Sequence, residues 1–118
     1  MSGQIPGGSG QDMILDMQRL TKMLDASARA LSRRGRDAAQ AEKDYRMELA
    51  KCILTLRSEG MPATVIGDIA RGDPGIASLK MARDTAEAVY DAAKEYVNVL
   101  KIQIRVLEAT IAREWVRD

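Results

Sequence analysis

A long apolar heptad repeat near the C-terminus constrains the fold of this chain more than any other feature. Between residues 73 and 115, one apolar series recurs every seven residues: Leu79, Ala86, Ala93, Leu100 and Leu107. A companion series completes the alternating spacing of three and four residues: Tyr90, Val97, Ile104 and Ile111. This spacing is typical of a long helix whose apolar side packs against another helix. The repeat therefore predicts a helix over about residues 74–116.

A weaker heptad in the first half of the chain predicts the partner helix, over about residues 12–59. Its main series keeps a seven-residue register: Met17, Leu24, Leu31, Ala38, Tyr45 and Cys52. Its second series is interrupted at Gly35 and Glu42. A glycine inside a helix costs about 1 kcal/mol relative to alanine, so the helix is expected either to continue through Gly35 or to bend there. The continuous form is favoured because the heptad keeps its phase across the glycine.

Cap and turn residues separate the two long helices. Gly60 suits a left-handed helix cap, and Pro62 cannot continue a helix. A short apolar helix is predicted over about residues 63–71, after which Asp73 and Pro74 match the N-cap and first position of the last helix. The predicted fold is all-α: a long antiparallel helical hairpin, coiled-coil-like, with a short connecting helix. It forms a single helical domain over 12–118, preceded by a flexible tail over 1–11 that is rich in Gly, Ser and Gln.

The last helix is predicted to be apolar on two sides. At about 100° per residue, Val97 and Leu100 lie on the face toward the first helix. Val99, Ile102 and Val106 lie on the opposite face. A hairpin covers only one of these faces, so two or more copies are expected to associate into a helical bundle, with a dimer favoured. These three residues are the predicted oligomer interface, and a further protein partner stays open.

Composition narrows the class of protein. Aromatic residues make up only 3% of the chain and Phe is absent, which favours helices over sheets. The chain has no His, the commonest metal ligand, and its single Cys52 therefore lacks the usual activating base. Helical carboxylate sites for paired metal ions also depend on His. We therefore expect a non-enzymatic protein with no catalytic residue, metal site or cofactor.

One basic cluster suggests an alternative function, the binding of nucleic acid. The net charge is only +1, so global charge does not attract nucleic acid, but four arginines lie close together: Arg29, Arg33, Arg34 and Arg36. They either contact the phosphates of DNA or RNA, or form a solvated helix face balanced by carboxylates of a neighbouring helix such as Asp84. The second interpretation is favoured, because no aromatic residues alternate with the arginines to stack bases.

Signals for location are sparse. The chain shows no secretory signal and no stretch of about 18 apolar residues that would span a bilayer. A single cysteine excludes an intramolecular disulfide framework and fits a reducing compartment. A cytoplasmic protein without a membrane span is therefore expected.

A resemblance covers a little over half of the chain. It is carried by four short phrases: Glu59–Thr64, Ile69–Asp73, Val97–Lys101 and Arg113–Trp115. With these, the span 49–115 resembles small helical proteins encoded by bacteriophages and prophages, which have no assigned function. The resemblance implies a bacterial host cytoplasm and an accessory or assembly role, and it transfers no site residues. The leading hypothesis is thus a self-associating interaction module; the alternative is a nucleic-acid-binding accessory protein using the cluster Arg29–Arg36.

Overall fold

The protein was analysed as a computed structural model that describes residues 10–117. Three α-helices account for this part of the chain: α1 (Gly10–Ser58), α2 (Ala63–Gly72) and α3 (Pro74–Arg117). No strand occurs within the described range, which confirms the all-α prediction. Residues 1–9 of the predicted tail lie outside the described residues, and its last two residues already belong to α1.

The first helix runs without interruption through its central glycine. α1 comprises 49 residues, so the continuous form favoured by the heptad phase is the one observed. Its last residue is Ser58, and the expected cap glycine, Gly60, has a φ of 83°, the left-handed conformation that glycine adopts without steric cost. The amide of Gly60 donates to the carbonyl of Arg57 at 3.0 Å, and the amide of Met61 donates to the carbonyl of Leu56 at 3.1 Å. These two bonds form a Schellman cap that satisfies the last carbonyls of α1.

The restart of the chain at α3 also follows the predicted cap. Oδ1 of Asp73 accepts hydrogen bonds from the amides of Gly75, at 2.9 Å, and Ile76, at 3.2 Å. Pro74 occupies the first helical position, where its missing N–H leaves no carbonyl unpaired. The backbone amide of Asp73 also donates to the carbonyl of Ala70 at the end of α2. One residue therefore closes α2 and opens α3.

The helices divide into two compact units, and the first contains residues 10–31 of α1 with residues 92–117 of α3. Its buried apolar side chains come from both helices: Met13, Leu20, Val97 and Leu100. Leu100 is only 1% exposed and is the largest side chain that is fully buried. The heptad residues of α3 that were predicted to face α1 therefore form the core of this unit.

The second unit contains residues 32–58 of α1, all of α2 and residues 74–91 of α3. All three helices contribute buried side chains to its core: Ala38, Tyr45, Ile66, Ala70 and Ile76. The short connecting helix thus adds its apolar side to the core of the unit. The expectation of one domain over 12–118 is not tested by this division and stays a prediction.

At the two positions where the α1 heptad is interrupted, Gly35 and Glu42, a residue of α3 in the second unit complements the α1 residue in size or in charge. A Cβ added at Gly35 would lie 3.2 Å from Cε1 of Tyr90, so the ring of Tyr90 occupies the space that a side chain would need. One heptad further along α1, Glu42 faces Arg83, with Oε2 3.7 Å from Nε. Arg83 precedes Tyr90 by seven residues, so the partner residues descend along α3 as those of α1 ascend. Within this unit α1 and α3 therefore run antiparallel, with α2 as their connection.

Candidate self-association surface

The outer side of α3 in the first unit carries exposed apolar residues, among them the three of the predicted interface. Val99, Ile102 and Val106 are 46%, 56% and 60% exposed, whereas Val97 and Leu100 are 6% and 1% exposed. We call Val99, Ile102 and Val106 the outer strip. The two groups alternate along α3 because successive helical residues are about 100° apart. One short passage thus places apolar side chains both on the core and on the outside of the hairpin.

An apolar groove of about 370 Å³ borders the outer strip within the first unit. Its lining includes Ile102 and Val106 of the strip and seven further residues: Met13, Asp16, Arg19, Leu20, Gln103, Leu107 and Thr110. The groove therefore extends the apolar surface from α3 across to α1. Sequence reasoning did not predict it, because its shape depends on how α1 packs beside α3.

Polar side chains edge this groove on the α1 side. Nη2 of Arg19 lies 3.9 Å from Oδ1 of Asp16, and Nη1 of Arg19 lies 3.5 Å from the sulfur of Met23. The two charged side chains are exposed enough to stay hydrated while their aliphatic parts border the groove. An apolar centre with a polar edge is the usual arrangement of a protein–protein interface.

The predicted basic cluster is distributed over both units. In the first unit, Arg29 is ion-paired with Asp25, four residues earlier on α1. In the second, Nη1 of Arg36 donates to Oγ of Ser32 at 3.1 Å, and Arg33 and Arg34 are exposed. The role of these arginines in binding nucleic acid is not tested and stays a prediction.

Asp84, one of the carboxylates expected to balance these arginines, pairs with residues of its own helix. It accepts hydrogen bonds from Nε and Nη2 of Arg83, at 3.0 and 2.9 Å, and from Nζ of Lys80, at 3.1 Å. Lys80 and Arg83 lie on the same helix as Asp84, so they reach it without spanning the gap between helices. The bonds from Arg83 and then Lys80 lower the pKa of Asp84, and the bond to Asp84 raises the pKa of Arg83.

A second feature that sequence reasoning missed is the position of Arg83 between α1 and α3. Its guanidinium lies over the ring of buried Tyr45, 4.6 Å from the centroid, and near Glu42. The cation–π contact and the ion pair satisfy a half-buried charge between α1 and α3. The spacing of seven residues before Tyr90 was the available signal. The apolar heptad alone does not identify Arg83, because the heptad series contains no charged residue.

Neither a membrane span nor a metal-binding group is found in the described part of the chain. Among residues 10–117, no helix combines the length and apolarity needed to cross a bilayer. Within the same range, no three His, Cys, Asp or Glu side chains are placed to hold a metal ion.

Comparison with known proteins identifies no related protein. No protein-family model matches the chain, and neither the curated proteins nor the solved structures give a match.

Proposed function

We propose that this chain is a non-enzymatic helical interaction module that self-associates through the outer strip of α3, with a dimer as the favoured state. The observation that carries the proposal is the exposure of Val99, Ile102 and Val106 directly outside a core built from the same helix. Exposed apolar residues that form a continuous patch with a polar edge mark interaction sites. A second copy presenting the same patch is the simplest symmetric partner.

The energetics indicate that the groove takes part in the contact. Full burial of a Val or Ile side chain contributes about 1.5–3 kcal/mol, so a half-exposed one has about 1 kcal/mol still to gain. The six strip side chains of two copies would contribute on the order of 6 kcal/mol. Association costs about 4–15 kcal/mol in lost freedom, so the strip alone does not give a micromolar dimer. Contacts of the partly exposed Leu107 and of the aliphatic part of Arg19 in the groove would supply additional stabilisation.

The resemblance of residues 49–115 to small phage and prophage proteins is the basis for proposing an accessory or assembly role in a bacterial cytoplasm. Such a role requires a stable surface and no reaction. A self-associating hairpin fits that requirement.

Sedimentation velocity at micromolar concentration tests the proposal. The native chain is expected to sediment as a dimer, and the double variant Ile102→Glu and Val106→Glu as a monomer, because burying a carboxylate without a partner is unfavourable. Met81→Glu is the matched control, since Met81 is a 72% exposed apolar residue of α3 outside the outer strip. The control variant should remain dimeric, and all variants should keep their helical circular dichroism. A folded native monomer would contradict the proposal.

A second candidate function is nucleic-acid binding through the basic cluster. The observation that favours it is that Arg33 and Arg34 have exposed side chains with no ion pair to another residue within 10–117. A gel-shift assay over a range of salt concentrations tests it. Binding that weakens with salt and is lost on changing Arg33, Arg34 and Arg36 to Ser would support this function. Absence of binding at low salt would remove it.

A further inference from the structure

The outer strip carries charged residues of opposite sign at its two ends, all within the first unit. Glu95 precedes Ile102 by seven residues, and Arg113 follows it by eleven. Because seven and eleven residues are close to whole numbers of turns, both lie within about 20° of the line through Ile102. Both side chains are exposed. The acidic end is therefore the N-terminal one and the basic end the C-terminal one.

We infer that two copies pair antiparallel along α3, with a twofold axis at Ile102. This inference rests on the proposed function, since it specifies how the second copy lies on the outer strip. In this arrangement Ile102 faces Ile102 of the second copy, and Val99 lies beside Val106, offset by only about 1.5 Å along the axis. Each apolar residue of the strip therefore meets an apolar residue, as an isologous interface requires.

The charges distinguish this orientation from the parallel one. In the antiparallel pair, Glu95 lies opposite the small Ala109 of the second copy, one turn before Arg113. Helical side chains lean toward the N-terminus of their own helix, so Arg113 leans toward Ala109 and therefore toward Glu95. The symmetry produces this attractive pair twice. In a parallel, in-register pair, Glu95 would face Glu95 and Arg113 would face Arg113, so both contacts would be repulsive.

Charge reversal is the first test, read by sedimentation equilibrium of the full chain. Glu95→Lys and Arg113→Glu should each raise the dimer dissociation constant by about tenfold, because each replaces two attractive pairs with repulsive ones. Mixing the two variants, or combining both changes in one chain, should restore the native value. Glu59→Lys makes the same change of net charge as Glu95→Lys, but in the loop after α1, and it should leave the dissociation constant unchanged.

Distances between spin labels are the second test, with Cys52→Ser removing the native thiol. A label at Ala109→Cys should lie about 21 Å along the helix axis from its copy, since Ala109 faces Glu95, fourteen residues away. A label at Asn98→Cys should lie about 12 Å from its copy along the axis, since Asn98 is four residues from the twofold axis and the two labels are therefore eight residues apart. A parallel pair would give one short separation, close to the interhelical distance of about 10 Å, at both positions.

The outcomes separate the two proposals. Two different axial separations and a tenfold effect of charge reversal support the antiparallel pair. A dimer with equal short separations at both positions, insensitive to either charge reversal, overturns the antiparallel arrangement and leaves self-association through the strip in place. A native chain that remains monomeric overturns both.

Discussion

The contact between Gly35 and Tyr90 leads to a quantitative prediction about how α1 and α3 recognise each other. Replacing a glycine inside a helix by alanine ordinarily stabilises the helix by about 1 kcal/mol. At Gly35, however, the added Cβ would lie 3.2 Å from Cε1 and 3.4 Å from Cζ of Tyr90. Ordinary contacts between carbon atoms are about 3.5–4.0 Å, so the ring must move before alanine fits.

The size of this conflict follows from a double-mutant cycle with Tyr90→Leu, which removes the ring atoms in question. In the Tyr90→Leu background, Gly35→Ala should raise the free energy of unfolding by about 1 kcal/mol. In the native background the gain should be smaller by at least about 0.5 kcal/mol, because the half-buried ring gives way only in part. The other contacts of Tyr90 are lost in both proteins that carry Tyr90→Leu, with or without Gly35→Ala, so their loss cancels in the cycle.

Urea unfolding followed by circular dichroism, at one protein concentration for all four proteins, measures the coupling. A control cycle pairs Gly35→Ala with Tyr96→Leu, because the three atoms nearest to the added Cβ all belong to Tyr90. That cycle should show no coupling. The reasoning is refuted if Gly35→Ala stabilises the native and Tyr90→Leu backgrounds equally.

Three further substitutions test the core, a helix cap and an ion pair. Leu100→Ala should lower the free energy of unfolding by about 2–5 kcal/mol, measured in urea, because Leu100 is fully buried. Asp73→Ala should cost about 1 kcal/mol in the same assay by removing the cap of α3, whereas Asp73→Asn should recover most of the loss. The lowered pKa of Asp84 stabilises the fold above the ordinary carboxyl pKa, and this contribution is lost as pH falls through the lowered pKa. Asp84→Asn should therefore flatten the acid limb of a stability–pH profile, and an unchanged limb would contradict the pairing with Arg83 and Lys80.

Much of the fold was predictable because it depends on local patterns. The two heptads predicted the long helices, and the cap residues Gly60 and Asp73 predicted where helices end and restart. The pairing of Gly35 with Tyr90 and of Glu42 with Arg83 was not predicted. A heptad indicates which side of a helix is buried, but apolar side chains pack about equally well at several axial offsets. The offset is visible only once both helices are in place.

The candidate site was predictable to a similar extent. Periodicity alone identified Val99, Ile102 and Val106 as a second apolar face, and all three are exposed. The groove beside them was not predictable, because it combines side chains of α3 with Met13 and Leu20, far away in the sequence. The local partners of the basic residues were missed for a different reason. Carboxylates three or four residues away on the same helix, such as Asp25 for Arg29, are closer than those on another helix.

At the contact between copies, we expect apolar residues to supply the attraction and charged residues to select the antiparallel orientation. Removing the charges should therefore keep the association but allow both orientations. Glu95→Ala combined with Arg113→Ala should therefore still form a dimer at the outer strip. Labels at Ala109→Cys should then show both the short separation of a parallel pair and the separation of about 21 Å of the antiparallel one. A single long separation in this variant would mean that shape, and not charge, orients the two helices.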